Sequence, residues 1–140
     1  MTLWIATSNN GKAKEFKKLL SSYDLDIKSL SDLKTYYSPD ETGKTFEENA
    51  LIKARSLHAV TRGDWVIADD SGLEVECLNN LPGVHSARYA GPNATDWENL
   101  QRLMTMMKMK ASTNRKACFK CSLVAINSDC LLYTSDAADE

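Results

Sequence analysis

Hydrophobic and polar positions along the chain predict strands and helices in turn. A short apolar run at 3–7 is followed by the polar residues 8–11, which is typical of a strand that ends in a turn. Apolar residues then recur at helical spacing over 12–23, with lysines between them. The run 25–30 predicts a second strand, and the polar stretch 35–44 predicts a loop.

The pattern continues through the middle of the chain. Thr45 and Glu48 match a capping box, which predicts that a helix begins there, and its apolar face runs to about Thr61. The apolar run 65–68 predicts a buried strand that ends at the sequence Asp-Asp-Ser-Gly, and the alternation over 73–77 predicts a separate, half-exposed strand.

The last third predicts one more helix and one more strand. Residues 81–92 are rich in loop-forming types, and a second capping box begins at Thr95. The predicted apolar stripe of the helix consists of Trp97, Leu100, Met104 and Met107. Residues 116–126 predict an extended strand. Since strands and helices alternate, the chain is expected to be an α/β protein with helices covering a sheet.

Composition narrows the classes of function. The chain has 140 residues, of which 43% are hydrophobic and 26% charged, as in an ordinary globular domain. A net charge of -2 gives no basic surface for nucleic acid. No apolar run is long enough to span a membrane, and no signal-peptide pattern is present, so we expect a cytoplasmic protein with no membrane partner.

The four cysteines include a C-x-x-C motif at Cys118 and Cys121. This motif could be half of a zinc site or a redox pair. However, side chains three apart on a strand point to opposite faces, so the two sulfurs should diverge. We therefore expect structural, reduced cysteines.

The first candidate for chemistry is the turn after the first strand. Small and amide side chains there would expose backbone N–H groups at a helix start, where the helix dipole favours anions, and a lysine adds a positive charge. The segment could thus hold a phosphate, or it could be a turn capped by asparagine and glycine. It consists of Thr7, Ser8, Asn9, Asn10, Gly11 and Lys12.

Two further groups are candidates for chemistry. One is a pair of adjacent aspartates, and the other combines a lysine, an asparagine and a glutamate. Asp69 and Asp70 would repel each other unless a cation or a lysine offsets their charge, and carboxylates are ligands that Mg²⁺ prefers. An ordinary acidic turn is an equal alternative. Asn49 and Lys53 are four apart and share a helix face, and Glu41 lies in the loop before them.

These groups occur together and in order, and their sequence resembles the family of noncanonical purine nucleoside triphosphate pyrophosphatases (inosine triphosphate pyrophosphatases, or XTP/dITP diphosphatases). The resemblance extends from residue 3 to about Asn127. The blocks that resemble the family are T-S-N-N-G-K at 7–12, E-T-G at 41–43, T-F-E-E-N-A at 45–50, K-A at 53–54, A-D-D-S-G-L at 68–73, P-G at 82–83 and S-A-R-Y-A-G at 86–91.

The resemblance implies a mixed twisted sheet flanked by helices and a hydrolase that needs Mg²⁺. Such an enzyme cleaves ITP, dITP or XTP to the monophosphate and pyrophosphate and so removes them from the nucleotide pool. The loop 7–12 and Lys53 would bind the triphosphate, and Ser71 would contact substrate. Glu41 and Asp70 match the metal ligands, and Asp70 also matches the general base. A homodimer is implied for the full-length protein, whereas the resemblance assigns no role to Arg88.

The sequence departs from the family at its C-terminal end, because the family's F-G-Y-D-P and S-H-R blocks do not occur. We therefore expect residues 1–129 to be the N-terminal portion of a pyrophosphatase domain. Residues 130–140 resemble the translation of a sequencing-library adapter, the alternative being a genuine terminus. Two other functions remain open, namely a nucleotide-binding fragment without activity and a related pyrophosphatase for modified pyrimidine nucleotides.

Overall fold

A mixed sheet with helices on both faces forms the fold in the computed structural model, which describes residues 1–130 and 132–139. The strands are β1 (Thr2–Ile5), β2 (Asp26–Ser29), β3 (Trp65–Val75), β4 (Leu81–Pro82), β5 (Ala117–Ile126) and β6 (Leu132–Asp139). The α-helices are α1 (Asn10–Leu19), α2 (Phe46–Thr61) and α3 (Asp96–Lys110). Short 3-10 helices occupy Leu30–Asp32, Glu76–Leu78 and Gly83–Arg88.

The strand order is β2-β1-β3-β5-β6, and β4 also pairs with β3. The pairs β1–β2 and β1–β3 are parallel, whereas β3–β4, β3–β5 and β5–β6 are antiparallel. This arrangement confirms the expected mixed α/β sheet. Side chains alternate between the two faces of each strand. We call these the α1 face and the α2 face of the sheet, after the helix that lies on each.

The main core lies between α2 and the sheet. Ala50, Ala54 and Leu57 of α2 are fully buried and pack in one cluster with Val66 and Ala68 of β3, among others. The two alanines let the helix axis approach the sheet closely, which fixes where the polar side chains of the same helix face can reach. The predicted helix over 45–61 is confirmed, with Thr45 as its N-cap.

The prediction that a turn at 69–72 separates two strands was wrong. β3 continues without interruption from Trp65 to Val75, because β5 pairs with it residue by residue from Val66 to Val75. β5 supplies hydrogen-bond partners for the backbone N–H and C=O groups of 69–72, which would otherwise bond to water. The Asp-Asp-Ser-Gly sequence therefore lies in the middle of a strand.

The predicted apolar stripe of α3 was only partly right. Trp97, Leu100 and Met104 are exposed, and only Met107 of the predicted stripe is packed. Together with Leu103 and Met106 it packs against a small cluster that consists of Val75, Cys77 and Leu78. The helix has apolar residues on more than one side, so periodicity alone could not select the buried one.

Residues 132–139 form a strand, although the hydrophobic pattern predicts none there. The segment pairs with the outer edge of β5, whose N–H and C=O groups would otherwise lack partners. The hydroxyl of Ser122 also donates a hydrogen bond to the carboxylate of Asp136. The pairing does not test the expected adapter origin of 130–140, which stays a prediction. Residues 131 and 140 lie outside the described residues.

Across the described ranges, none of the helices combines the length and the apolar character needed to cross a membrane.

Candidate functional site

The turn after β1 is organised by an asparagine cap. The side-chain oxygen of Asn9 accepts hydrogen bonds from the backbone N–H groups of Gly11 (2.9 Å) and Lys12 (3.2 Å). The hydroxyl of Thr7 in turn accepts one from the N–H of Asn9 (3.1 Å). Two amides at the start of α1 are therefore already engaged. A phosphate at this turn would have to use other donors or displace the asparagine side chain.

Lys12 extends from α1 to the middle of β3. Its ammonium lies 2.7 Å from Oδ2 of Asp69 and donates a hydrogen bond to the hydroxyl of Ser71 at 3.2 Å. Asp69 and Ser71 are two apart on the strand, so both point to the α1 face. The Asp69 side chain is buried, and this lysine offsets its charge.

Lys53 makes the corresponding contacts on the α2 face. Its ammonium lies 3.5 Å from Oδ1 of Asp70 and 3.6 Å from Oε1 of Glu41. The repulsion expected between Asp69 and Asp70 is therefore resolved by geometry: each carboxylate points to its own face and meets its own lysine. The predicted residues Glu41, Lys53 and Asp70 come together, whereas Lys12 and Ser71 lie across the strand from them.

Asp70 has unusual electrostatics. Burial raises its pKa to about 6; the Lys53 ammonium opposes this effect, and the nearby Glu41 carboxyl adds to it. Among the described residues, Oδ2 of Asp70 is a buried atom with no hydrogen-bond partner, and so is Nδ2 of Asn49. A buried carboxylate oxygen without a partner is costly in a folded protein unless a ligand satisfies it.

The edge of β3 beside these residues has no strand partner among the described residues. On the side opposite β5, β3 pairs with β1 only at Trp65–Ile67 and with β4 only at Glu74 and Val75. No strand in the described part of the chain pairs with the intervening edge at 68–73. The 3-10 helix Gly83–Arg88 covers part of this edge, because the hydroxyl of Ser86 accepts a hydrogen bond from the N–H of Leu73.

Two side chains form hydrogen bonds with the backbone of the segment Glu41–Gly43. The N–H of Gly43 donates to Oδ1 of Asn49 at 2.7 Å, and the guanidinium of Arg88 donates to the carbonyl oxygen of Glu41 at 3.3 Å. Arg88 is within reach because the 3-10 helix Gly83–Arg88 packs directly on β3. No sequence pattern predicts either contact. A lysine or asparagine on a helix face can be recognised by spacing, but its partner in a distant loop cannot.

A cleft of about 710 Å³ lies next to this cluster. It is bounded by the start of α2 at Lys44–Glu47, by Pro82–His85, by the β5 residues 120–122 and by the β6 residues 136–138, which belong to the segment of expected adapter origin. Ser122 stands directly opposite Asp70 in the strand pairing, so the cleft adjoins the carboxylate cluster. Its size suits a small organic ligand such as a nucleoside.

The remaining candidate residues, and also His58 of α2, have ordinary surroundings. Ser8, Asn10 and Gly11 are exposed at the turn. Nε2 of His58 lies 3.1 Å from the carbonyl oxygen of Asn127, which fits a structural role. The four cysteines are free, as expected. Cys118 and Cys121 pair with Glu74 and Ser71, respectively, and so point to opposite faces. In the parts of the chain that the structure describes, no three His, Cys, Asp or Glu side chains are arranged to hold a metal ion.

Fold and site together define an α/β protein whose central strand bears a lysine–carboxylate pair on each face. The sequence model of the Ham1 family matches residues 3–137. The dITP/XTP pyrophosphatase of Bdellovibrio bacteriovorus is 50% identical over 125 residues, which are 89% of this chain and 63% of that protein. That of Bacillus licheniformis is 48% identical over 119 residues, covering 85% and 60%.

A solved structure of a HAM1 protein from Coxiella burnetii superimposes with a TM-score of 0.86 at 34% identity, covering 100% of this chain and 72% of that one. The chain belongs to the Ham1 family, and the resemblance inferred from its motifs is confirmed. It spans about three-fifths of the length of the curated relatives that it matches.

Proposed function

We propose that this protein hydrolyses noncanonical purine nucleoside triphosphates, such as ITP, dITP and XTP, to the monophosphate and pyrophosphate. The relatives named dITP/XTP pyrophosphatase support the substrate class. One observation supports the chemistry above all. Asp70, with a raised pKa and an unpartnered oxygen, shares the Lys53 ammonium with Glu41.

Glu41 and Asp70 would hold Mg²⁺. Their fit to the ion rests on two features: both carboxylates converge on Lys53, and Oδ2 of Asp70 is buried without a partner. Mg²⁺ is usually bound by one or two carboxylates together with substrate phosphate oxygens, so a larger protein cluster is not needed. When bound, the ion would neutralise charge on the phosphate oxygens.

The two lysines would bind the triphosphate. Their ammonium groups are already held in place by Asp69 and Asp70, so little side-chain entropy is lost when an anion arrives. Lys12 contacts β3 on the α1 face and Lys53 contacts it on the α2 face. The proposal therefore requires the triphosphate to reach both faces past the part of β3 at 68–72 that pairs with no other strand than β5 in the described residues. Ser71 would contribute a hydroxyl on the Lys12 side.

Asp70 would act as the general base. In the metal-free chain burial raises the pKa of Asp70 to about 6, so the carboxylate is ionised in most molecules at neutral pH, and a bound Mg²⁺ would hold it in that form. As a carboxylate it can accept a proton. It would take a proton from a water that attacks the α-phosphorus. A new bond forms between that oxygen and phosphorus, the bond to the bridging oxygen breaks, and pyrophosphate leaves with the bonding electrons.

The function can be tested by measuring pyrophosphate release from ITP, dITP, XTP, ATP and dUTP with Mg²⁺. We expect the three noncanonical purines to be hydrolysed well above ATP. Replacing Asp70 by Asn should lower turnover by about 10²–10⁴-fold, since general bases contribute on that scale, while Asp24→Asn at an exposed position should leave turnover unchanged.

Three results would contradict the proposal. Near-normal turnover of Asp70→Asn would exclude Asp70 as the base. A preference for dUTP would indicate a pyrimidine enzyme. Calorimetric binding of ITP without any pyrophosphate release would indicate a nucleotide-binding protein instead of an enzyme.

A further inference from the structure

The position of the Glu41 carboxylate depends on a segment without secondary structure. Residues 33–45 contain no helix or strand, yet the Glu41 carboxylate lies 3.6 Å from the Lys53 ammonium in the candidate site. A carboxylate on an unrestrained loop would lose conformational entropy each time it served as a ligand. Something must therefore fix the backbone of this segment. The N–H of Lys44 donates to the Glu48 carboxylate at 2.6 Å, and the side chains of two further residues bond the backbone of 41–43 itself.

The first contact comes from Arg88. Its guanidinium donates to the carbonyl oxygen of Glu41 across 47 sequence positions. Arg88 reaches this carbonyl because the 3-10 helix that ends there is anchored on β3. The hydroxyl of Ser86 accepts from the N–H of Leu73 at 3.0 Å and donates to the carbonyl of Gly83 at 2.6 Å.

The second contact comes from Asn49. This side chain is completely buried, and its oxygen accepts from the N–H of Gly43 at 2.7 Å. Gly43 is required for this approach, because a Cβ there would lie only 2.6 Å from the Asn49 oxygen and 2.7 Å from Cβ of Glu48. The segment is thus held at a carbonyl on one side of Thr42 and at an N–H on the other.

We propose that Arg88 and Asn49 are positioning residues that clamp the segment Glu41–Gly43, so that the Glu41 carboxylate stays beside Asp70. Neither residue needs to touch substrate. The proposal extends the proposed function, because it explains how Glu41 would be available as a metal ligand. The clamp itself can be tested without any activity.

The clamp can be tested by amide hydrogen exchange of residues 42–45, together with Mn²⁺ binding measured by electron paramagnetic resonance. Arg88→Met keeps the length of the side chain but removes its donors. We expect exchange about 10-fold faster in 42–45 and Mn²⁺ affinity about 3–10-fold weaker, because one hydrogen bond from a charged group is lost. Arg88→Lys should recover part of both, since an ammonium can still donate one bond.

Arg115→Met is the matched control. The guanidinium of Arg115 also donates to backbone carbonyls, at Ser112 (2.7 Å) and Asn114 (3.4 Å), but remote in sequence from Glu41. We expect this variant to leave exchange at 42–45 and Mn²⁺ affinity unchanged. A merely structural role for Arg88 would lower the melting temperature alone and leave Mn²⁺ affinity as in the control.

Asn49→Leu, which keeps the branched shape and the number of heavy atoms but removes the acceptor, tests the other contact and should also speed exchange at 42–45. Unchanged exchange in both Arg88→Met and Asn49→Leu would overturn the clamp. Faster exchange with unaltered Mn²⁺ affinity would overturn its role in positioning Glu41. If the parent chain bound no Mn²⁺, the metal part of the proposed function would fail, while the exchange measurement would still decide the clamp.

Discussion

Asp69 and Asp70 are neighbours of identical chemistry with different environments. Asp69 points to the α1 face, where its carboxylate pairs with the Lys12 ammonium, which also donates a hydrogen bond to Ser71. Asp70 points to the α2 face, where it shares Lys53 with a second carboxyl and keeps one oxygen without a partner. The carboxylate of Asp69 is thus stabilised in an ion pair, whereas the carboxylate of Asp70 can still bind a ligand or a proton.

The raised pKa of Asp70 predicts a dependence of stability on pH. The ordinary pKa of 3.8 rises to about 6 in the fold, so the folded chain binds a proton that the unfolded chain releases between these values. The associated stability is present below about pH 4 and is lost as the pH rises through 6. Asp70→Asn should therefore be more stable than the parent at pH 7.5, by about 1–2 kcal/mol after allowance for solvent screening, and nearly equal at pH 3.5.

Urea unfolding with a chelator present, at a series of pH values, measures this difference. Asp24→Asn is the control, because this exposed aspartate should show no such trend. Parallel stability curves for Asp70→Asn and the parent would contradict the raised pKa.

At the scale of elements, the packing of the 3-10 helix Gly83–Arg88 on β3 depends on Gly72. A Cβ at this position would collide with the carbonyl oxygen of Gly83 and the hydroxyl of Ser86. Any larger residue would push the 3-10 helix away from the strand. Because Arg88 ends that helix, the contact with Glu41 would be disturbed as well.

We therefore expect Gly72→Ala to destabilise the chain by about 1–3 kcal/mol, the usual range for overpacking. Chemical denaturation of Gly72→Ala, Ser86→Ala and the double variant would test the mechanism. The two changes should be non-additive, since removing the Ser86 hydroxyl removes one of the colliding atoms. Additive effects would show that Gly72 is not restrained by this contact.

The same scale shows what the sequence could and could not predict. The helix over 46–61 was predictable because its cap and its apolar face are local features. The continuity of β3 was not, since Asp69–Gly72 have turn-like composition and their hydrogen-bond partner, β5, lies some fifty residues further along. Likewise, Lys53 could be assigned to the site from a motif, whereas the contact from Arg88 to Glu41 exists only after the chain has folded.

At the scale of the whole molecule, the two faces of the sheet are covered unequally. On the α2 face the helix buries a continuous core. On the α1 face, Phe16, Leu20 and Ile67 line an apolar cavity of about 340 Å³ together with Leu123 and Tyr133. Tyr133 remains about half exposed, and Leu123 is exposed as well.

An apolar dye such as anilinonaphthalene sulfonate should therefore bind the folded chain at the α1 face. Leu123→Lys should lower the bound-dye fluorescence severalfold, because a charge would enter the apolar lining. Met109→Lys, at an exposed position near the end of α3, is the matched control and should have no effect. Equal fluorescence of the two variants would place the dye elsewhere.

The alternation of side chains along β3 also limits how this strand can change during evolution. One residue inserted before Asp69 would move every later side chain to the opposite face. A carboxylate would still meet each helix, because two aspartates stand side by side. However, Ser71 would take the place of Gly72, against the carbonyl of Gly83 and the hydroxyl of Ser86, where no Cβ fits. The paired aspartates would therefore tolerate an insertion in β3, whereas Gly72, two residues after them, would not.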